Sequence, residues 1–201
     1  WLKDPYGIYA RYTLGLKPLQ PLVQKIDFSL QGKVLHKAIE DFVQDYPDQL
    51  PFDASDILNS YFERSVRLFA GENENLDFWK ARIGSTVDWF LEHEGEWRKS
   101  YRLSATEAWG ETVFDVDGKS FLLRGIVDRI DKGIHGYAIV DYKSGGQFSR
   151  PKLLKGELPQ LPLEAILLQR GGFDDLKRGD DAELVPYYLG YWKFSSGEKG
   201  G

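Results

Sequence analysis

The chain reads as an α/β protein, with a largely helical first half and a sheet built from the second. Three observations carry this reading. Apolar residues recur at helical spacing through much of residues 1–100. After Trp97 the pattern changes to short apolar or alternating runs separated by turn residues. A helical segment and a last strand-like segment then close the chain. The order is helices, a β-meander, then helix and strand, which fits a central mixed sheet flanked by helices.

Residues 1–20 are aromatic and basic, with Trp1, Tyr6, Tyr9, Arg11, Tyr12 and Lys17. Asp4-Pro5 marks a helix start there, because proline's fixed φ and missing N–H suit the first turn. Val34, Leu35, Ala38, Ile39, Phe42 and Val43 follow the three-and-four spacing of a buried helical stripe. Asp53 to Phe69 reads as a second amphipathic helix, entered through Asp53-Ala54-Ser55. Leu76 to Trp97 reads as a third, with Phe78, Ile83, Val87, Phe90 and Leu91 on its apolar side. Strands are expected over 101–109, 112–117, 120–131 and 137–143, with a turn at Asp117-Gly118. Residues 159–170 read as helix and Leu184 to Trp192 as the final strand. The small polar tail, 195–201, is expected to fray. No internal repeat or low-complexity tract interrupts this order. The expected organisation is one domain over 1–201: a helical layer in 1–100, a sheet core in 101–194, and the tail.

Composition narrows the function classes. Apolar residues make up 42% and charged residues 28%, ordinary values for a globular domain with a real core. A formal net charge of −5 argues against a protein that coats nucleic acid, although a local basic patch remains open. No apolar run approaches a membrane span and no signal peptide is recognisable, so no membrane is expected, and the lack of cysteine fits a reducing cytoplasm as the expected location. The absence of cysteine excludes disulfides, zinc–thiolate sites and cysteine-ligated iron–sulfur clusters. The chain starts at Trp1 and lacks methionine, so it is expected to be an excerpt of a longer protein.

The chemistry concentrates in Gly125-Ile126-Val127-Asp128-Arg129-Ile130-Asp131 and in Asp141-Tyr142-Lys143. Side chains alternate along a strand, so Asp141 and Lys143 share a face. Lys132-Gly133-Ile134-His135-Gly136 supplies a turn between the two strands. With Ile134 and His135 at its tip, Asp128 falls directly opposite Asp141. Paired Cβ atoms then stand roughly 4.5–5.5 Å apart, and like charges at that distance repel. Asp141 also ends the apolar run Ala138-Ile139-Val140, where an acid is costly unless paired or bound to metal. A divalent cation would offset both costs, and Lys143 beside it suits chemistry on an anion. A surface hairpin with salt-bridged acids is the competing reading. Glu107, on the preceding strand, offers another carboxylate, or faces solvent. His36 shares a helix face with Glu40, four residues on, and taken alone reads as a packing residue. Lys143, Arg150, Lys152 and Lys155 lie in an acid-free segment, 143–155, whose charge suits a phosphate backbone as well as it suits a solvated loop. Gln160 opens the next helix, where it contacts substrate or caps the turn. Gly118-Lys119-Ser120 only imitates a phosphate-binding loop, because Val113 stands where its first glycine is needed.

Several blocks together resemble the RecB-type branch of the PD-(D/E)xK nucleases. They are Gly-Ile-Val-Asp128-Arg-Ile-Asp, Ile-Val-Asp141-Tyr-Lys143-Ser-Gly, Pro-Gln160-Leu-Pro-Leu-Glu-Ala, and upstream Gly32-Lys-Val-Leu-His36-Lys-Ala-Ile-Glu40. The opening Asp4-Pro-Tyr-Gly-Ile-Tyr-Ala-Arg-Tyr is similar to the segment leading into AddB-type nuclease domains of helicase–nucleases. Many such domains hold an iron–sulfur cluster on cysteines. This chain has none, so it resembles a cluster-free subtype. The branch also places a tyrosine four residues after its glutamine, where this chain has Glu164.

The resemblance implies a restriction-endonuclease-like fold and a metal-dependent DNA exonuclease or endonuclease. Its setting would be a helicase–nuclease acting in double-strand-break repair and recombination. It implies His36, Asp128 and Asp141 as metal ligands with the Tyr142 carbonyl as a further one, and Glu107 as an auxiliary acid. Lys143 and Gln160 join the catalytic set, and Arg150, Lys152, Lys155 and Gln160 contact the DNA backbone with little sequence specificity. Mg²⁺ is the expected ion, with Mn²⁺ substituting. The expected partners are DNA and, through the longer protein, an AddA-like helicase–nuclease chain. The alternatives are a non-catalytic DNA-binding module on a degenerate nuclease fold, or a metal site serving another phosphoester.

Overall fold

The computed structural model describes residues 5–16, 28–71, 75–146, 148–174, 176 and 184–194. Helix α1 (Pro5–Ile8) starts at the expected proline and runs into a π-helical turn at Tyr9–Thr13. Three longer helices follow: α2 (Phe28–Asp45), α3 (Ala54–Ala70) and α4 (Leu76–Trp97). All six residues of the expected stripe in α2 are fully buried. They pack with Leu58, Phe62 and Val66 of α3 and with Trp79, Ile83, Val87 and Phe90 of α4. Asn75 caps α4, its Oδ1 accepting from the N–H groups of Asp77 and Phe78 at 3.1 and 3.2 Å. Phe78 is 44% exposed, and its neighbour Trp79 takes the core position expected of it.

Among the described residues the sheet has four strands, in the order β1 (Tyr101–Val116), β2 (Lys119–Gly133), β3 (Tyr137–Lys143), β4 (Pro186–Lys193). The first three strands form the antiparallel meander, and β4 lies parallel to β3. A parallel neighbour needs a crossover. Here it contains α5 (Arg150–Leu154) and α6 (Gln160–Gln169), and α6 packs on the sheet. The sheet is therefore mixed and sits between α2–α4 on one side and α6 on the other.

Two expectations are corrected. The break between residues 109 and 112 is absent, and β1 runs unbroken, with Gly110 paired to Gly125 and Glu111 to Arg124. Gly110 is there for closeness: a Cβ on it would lie 2.5 Å from the Phe173 ring. The basic segment 143–155 is not wholly loop, because Arg150–Leu154 is a short helix with Pro151 in its first turn. Asp4, Lys17 and the tail 195–201 lie outside the described residues. Among the described residues no helix is long and apolar enough to cross a membrane.

Candidate functional site

The β2–β3 hairpin closes at the expected tip, with the Gly133 N–H donating to the Gly136 carbonyl at 2.8 Å. Its ladder pairs Lys132 with Tyr137, Asp131 with Ala138, Ile130 with Ile139 and Arg129 with Val140. The ladder ends there, and one further step of the same register would set Asp128 opposite Asp141. There the Asp128 side chain enters the backbone pairing, its Oδ2 accepting from the Tyr142 N–H at 2.8 Å. Tyr142 thus meets the site through its main chain, while its ring is buried among the helices. On the other side of β2, the pairs Thr106–Arg129 and Ala108–Val127 bracket Glu107 and Asp128. Glu107, Asp128 and Asp141 therefore occupy one row across three strands.

The alternation of β2 slips at this row. Val127 and Ile130, three apart, both join the α6-side core, while Arg129 turns toward α4. Glu107 has φ of 46°, a left-handed conformation that costs a non-glycine residue about 1–3 kcal/mol. Such strain collects where surrounding structure holds a functional side chain in place.

His36 comes to the row from α2. Its Nδ1 lies 3.5 Å from Asp128 Oδ2, and its ring stands edge-on to Tyr142. One turn earlier, Gly32 lets α2 pass close to the sheet end: a Cβ there would lie 3.0 Å from Ser144 Oγ. Ligand atoms of His36, Glu107 and Asp128 all lie within 4.8 Å of one another. An imidazole nitrogen and two carboxylates gathered this closely form a donor set that fits a divalent ion.

Asp141 stands beside this triad rather than in it. Its Oδ2 is 2.6 Å from the Lys143 ammonium, and its Oδ1 accepts from Gln160 Nε2. The Gln160 oxygen accepts from Lys143 Nζ at 3.1 Å, and its nitrogen also donates to Glu164 Oε1 at 3.0 Å. Gln160 at the start of α6 thus ties Asp141, Lys143 and Glu164 together. Glu164 is 4% exposed, and its Oε2 has no hydrogen-bond partner among the described residues.

Acids crowded this closely resist ionisation. Burial and the neighbouring Asp128 push Asp141 up to about 6, against the pull of Lys143. Burial lifts Glu164 to about 7, and Asp141 and Asp128 add to the effect while the Gln160 hydrogen bond opposes it. Partial desolvation and Asp128 lift Glu107 to about 7 as well. Glu107 is reached by solvent, which screens part of this effect, so Asp141 and Glu164 are the firmer cases.

Of the expected backbone contacts, Arg150 opens α5, Lys152 lies within it, and Lys155 is exposed at its end. All three are on the segment that leaves β3 directly after Lys143. Sequence reasoning missed Gly32, whose need for closeness is invisible without Ser144. It left the role of Glu164 open, and it gave no role to Arg129, which the fold buries in a separate ion network.

A His–Glu–Asp triad that could hold a metal ion thus lies beside a carboxylate–lysine pair at the end of a mixed sheet. The profile of the PD-(D/E)XK nuclease superfamily matches residues 4–200, and the chain belongs to that superfamily, whose restriction-endonuclease-like fold the helix-flanked mixed sheet matches. Among individual relatives, an uncharacterised protein of Rickettsia felis is 27% identical over 179 residues, covering 86% of this chain and 21% of the relative. An ATP-dependent helicase/deoxyribonuclease chain of the AddB type, from Streptococcus pneumoniae, is 28% identical over 180 residues, covering 85% of this chain and 16% of the relative. The chain is thus a distant homologue of AddB-type proteins, and spans about a fifth or less of the length of these relatives.

Proposed function

We propose that this chain is the nuclease domain of a helicase–nuclease and hydrolyses DNA phosphodiesters with Mg²⁺ or Mn²⁺. The observation that carries the proposal is the row Glu107–Asp128–Asp141, with His36 closing one end and Lys143 the other. His36, Glu107 and Asp128 would hold the ion, with Asp141 at its edge. Bound there, the ion would lower the pKa of a coordinated water and polarise the scissile phosphate. Lys143 would donate to a phosphoryl oxygen as negative charge builds on it. Asp141 keeps the ammonium aimed into the site, and Gln160 fixes the spacing of the two. Lys152 and Lys155, with Arg150, would grip the flanking backbone, giving little sequence preference. By likeness to the pneumococcal helicase/deoxyribonuclease chain, the setting would be DNA-end processing in double-strand-break repair and recombination. The compartment would be the cytoplasm, and the partner an AddA-like helicase–nuclease chain.

The test is cleavage of linear single- and double-stranded DNA with Mg²⁺ or Mn²⁺. Asp141→Ala and Lys143→Ala should each lower the rate by about 10²–10³, with circular dichroism unchanged. Cleavage at the wild-type rate by both variants would mean a DNA-binding module rather than a nuclease.

A further inference from the structure

Beside the catalytic row, residues of α5, α6, β4 and the loops around α5 line an open pocket of about 500 Å³. Its walls include Phe148, Leu153, Leu158, Leu189, Tyr191 and Lys193. It is largely apolar, with an aromatic pair and one cation, and its volume falls in the range of small-molecule sites. Nothing in the proposed hydrolysis uses it.

Two observations connect it to the row. Tyr191 is the strand neighbour of Asp141, and Lys193 is the strand neighbour of Lys143. The Tyr191 ring lies 4.5 Å from Phe148, centroid to centroid, and its centroid is 5.9 Å from the Lys143 ammonium. One ring therefore borders both the cavity and the catalytic lysine. Lys143 and Lys193 also set two like charges side by side on adjacent strands, an arrangement that costs energy without an anion nearby. Lys143 has Asp141, but among the described residues no acid pairs with Lys193. The pocket thus combines an aromatic and aliphatic interior with a cation at its wall that no described acid pairs.

We infer that this cavity receives an unstacked nucleobase of single-stranded DNA, with a phosphate of the same strand reaching Lys193. This rests on the nuclease reading for the identity of the strand. A π-face suits stacking on Tyr191 or Phe148 whatever the base, and lysines suit the backbone beside it. A base inside a duplex is stacked and paired and cannot enter without being flipped out. The cavity therefore favours single strands over duplex as the strand held at the site.

The test is binding, measured by fluorescence anisotropy in EDTA and again in Ca²⁺, so that cleavage is not needed. The probes are a 20-nucleotide oligothymidylate, the same backbone bearing only abasic residues, and a blunt duplex. The wild type should bind the oligothymidylate on the order of tenfold more tightly than the abasic strand. Leu153→Trp, which fills the cavity, should erase that difference while leaving abasic and duplex affinities as they were. Tyr191→Leu is the second variant should the first not fold, with the same expected loss. Equal wild-type affinity for base-bearing and abasic strands would overturn the inference. So would discrimination that survives both variants, equal weakening on duplex, or no DNA binding at all. Discrimination without any cleavage under Mg²⁺ or Mn²⁺ would keep the base site and sink the nuclease reading. Cleavage without discrimination would do the reverse.

Discussion

Asp128 and Arg129 are neighbours on β2, yet they belong to two opposite kinds of charged cluster. Arg129 is 1% exposed and faces the helices. Its guanidinium holds Glu94 through two bonds, at 2.7 and 3.0 Å, and donates to Asp131 at 3.0 Å. Arg98 adds a second cation on Glu94 at 2.6 Å, and Trp97 donates to Asp131 at 2.6 Å. Two cations meet two acids, and their hydrogen bonds interlock. The Asp128 cluster has the reverse balance: Glu107, Asp128, Asp141 and Glu164 gather around the Lys143 ammonium and the imidazole of His36. The first cluster is complete in the protein alone. The second is short of positive charge, and that shortage is what a divalent ion would supply.

The largest effect should come from breaking the complete cluster. Arg129→Met leaves Glu94 and Asp131 as buried, underpaired acids, and should cost about 3–5 kcal/mol of stability, read from urea midpoints. A loss below about 1 kcal/mol would mean that the network is no more than a surface-like pair. The site variants should behave differently, losing cleavage while keeping the fold.

The charge shortage also has a pH signature. Asp141 and Glu164 are raised to about 6 and about 7 in the fold. A raised acid binds its proton more tightly folded than unfolded. Its contribution to stability is therefore full below the unfolded pKa and fades as pH rises through the folded one. The metal-free protein should lose melting temperature between pH 5 and 8. Mg²⁺ or Mn²⁺ should restore more of it at pH 8 than at pH 5, because ligation needs ionised carboxylates. His93, lowered by burial, acts in the opposite sense below its ordinary 6.5. Glu94, lowered by its arginines, matters only at more acid pH. Asp141→Asn isolates the site's share and should flatten the slope. A slope identical in wild type and this variant would count against the crowding of acids.

The smallest effect belongs to Glu164. As an acceptor it helps turn the Gln160 nitrogen toward Asp141 and the oxygen toward Lys143. Glu164→Gln offers donor and acceptor alike and weakens that orientation. The turnover rate should fall less than about tenfold, near 1 kcal/mol, while metal-free stability at pH 8 rises. A hundredfold loss of turnover would instead place Glu164 among the reacting groups.

Local patterns were legible because their causes are local. The α2 stripe, the span of α4 and the tip of the β2–β3 hairpin follow from residue spacing and turn glycines. The break expected between 109 and 112 does not form, and Gly110 in the unbroken strand instead admits Phe173 from the segment after α6. The acids of β2 and β3 stood out as a pair, and alternation sends Asp128 and Arg129 to opposite faces, but nothing local says which partners wait on each face. Those partners come from the packing, which brings His36 of α2 to Asp128 and Glu94 of α4 to Arg129.

By itself, then, the sequence determined the α/β class, the hairpin register and the carboxylates facing each other across it. Periodicity and turn chemistry act over a few residues, and these features need nothing more. Only the tertiary structure decided that His36 of α2 reaches Asp128, that Glu107 joins them, and that Gln160 binds Asp141, Lys143 and Glu164 into one unit. Those contacts join elements far apart in the chain. Their distances are set by how α2 and α6 pack at the end of the sheet.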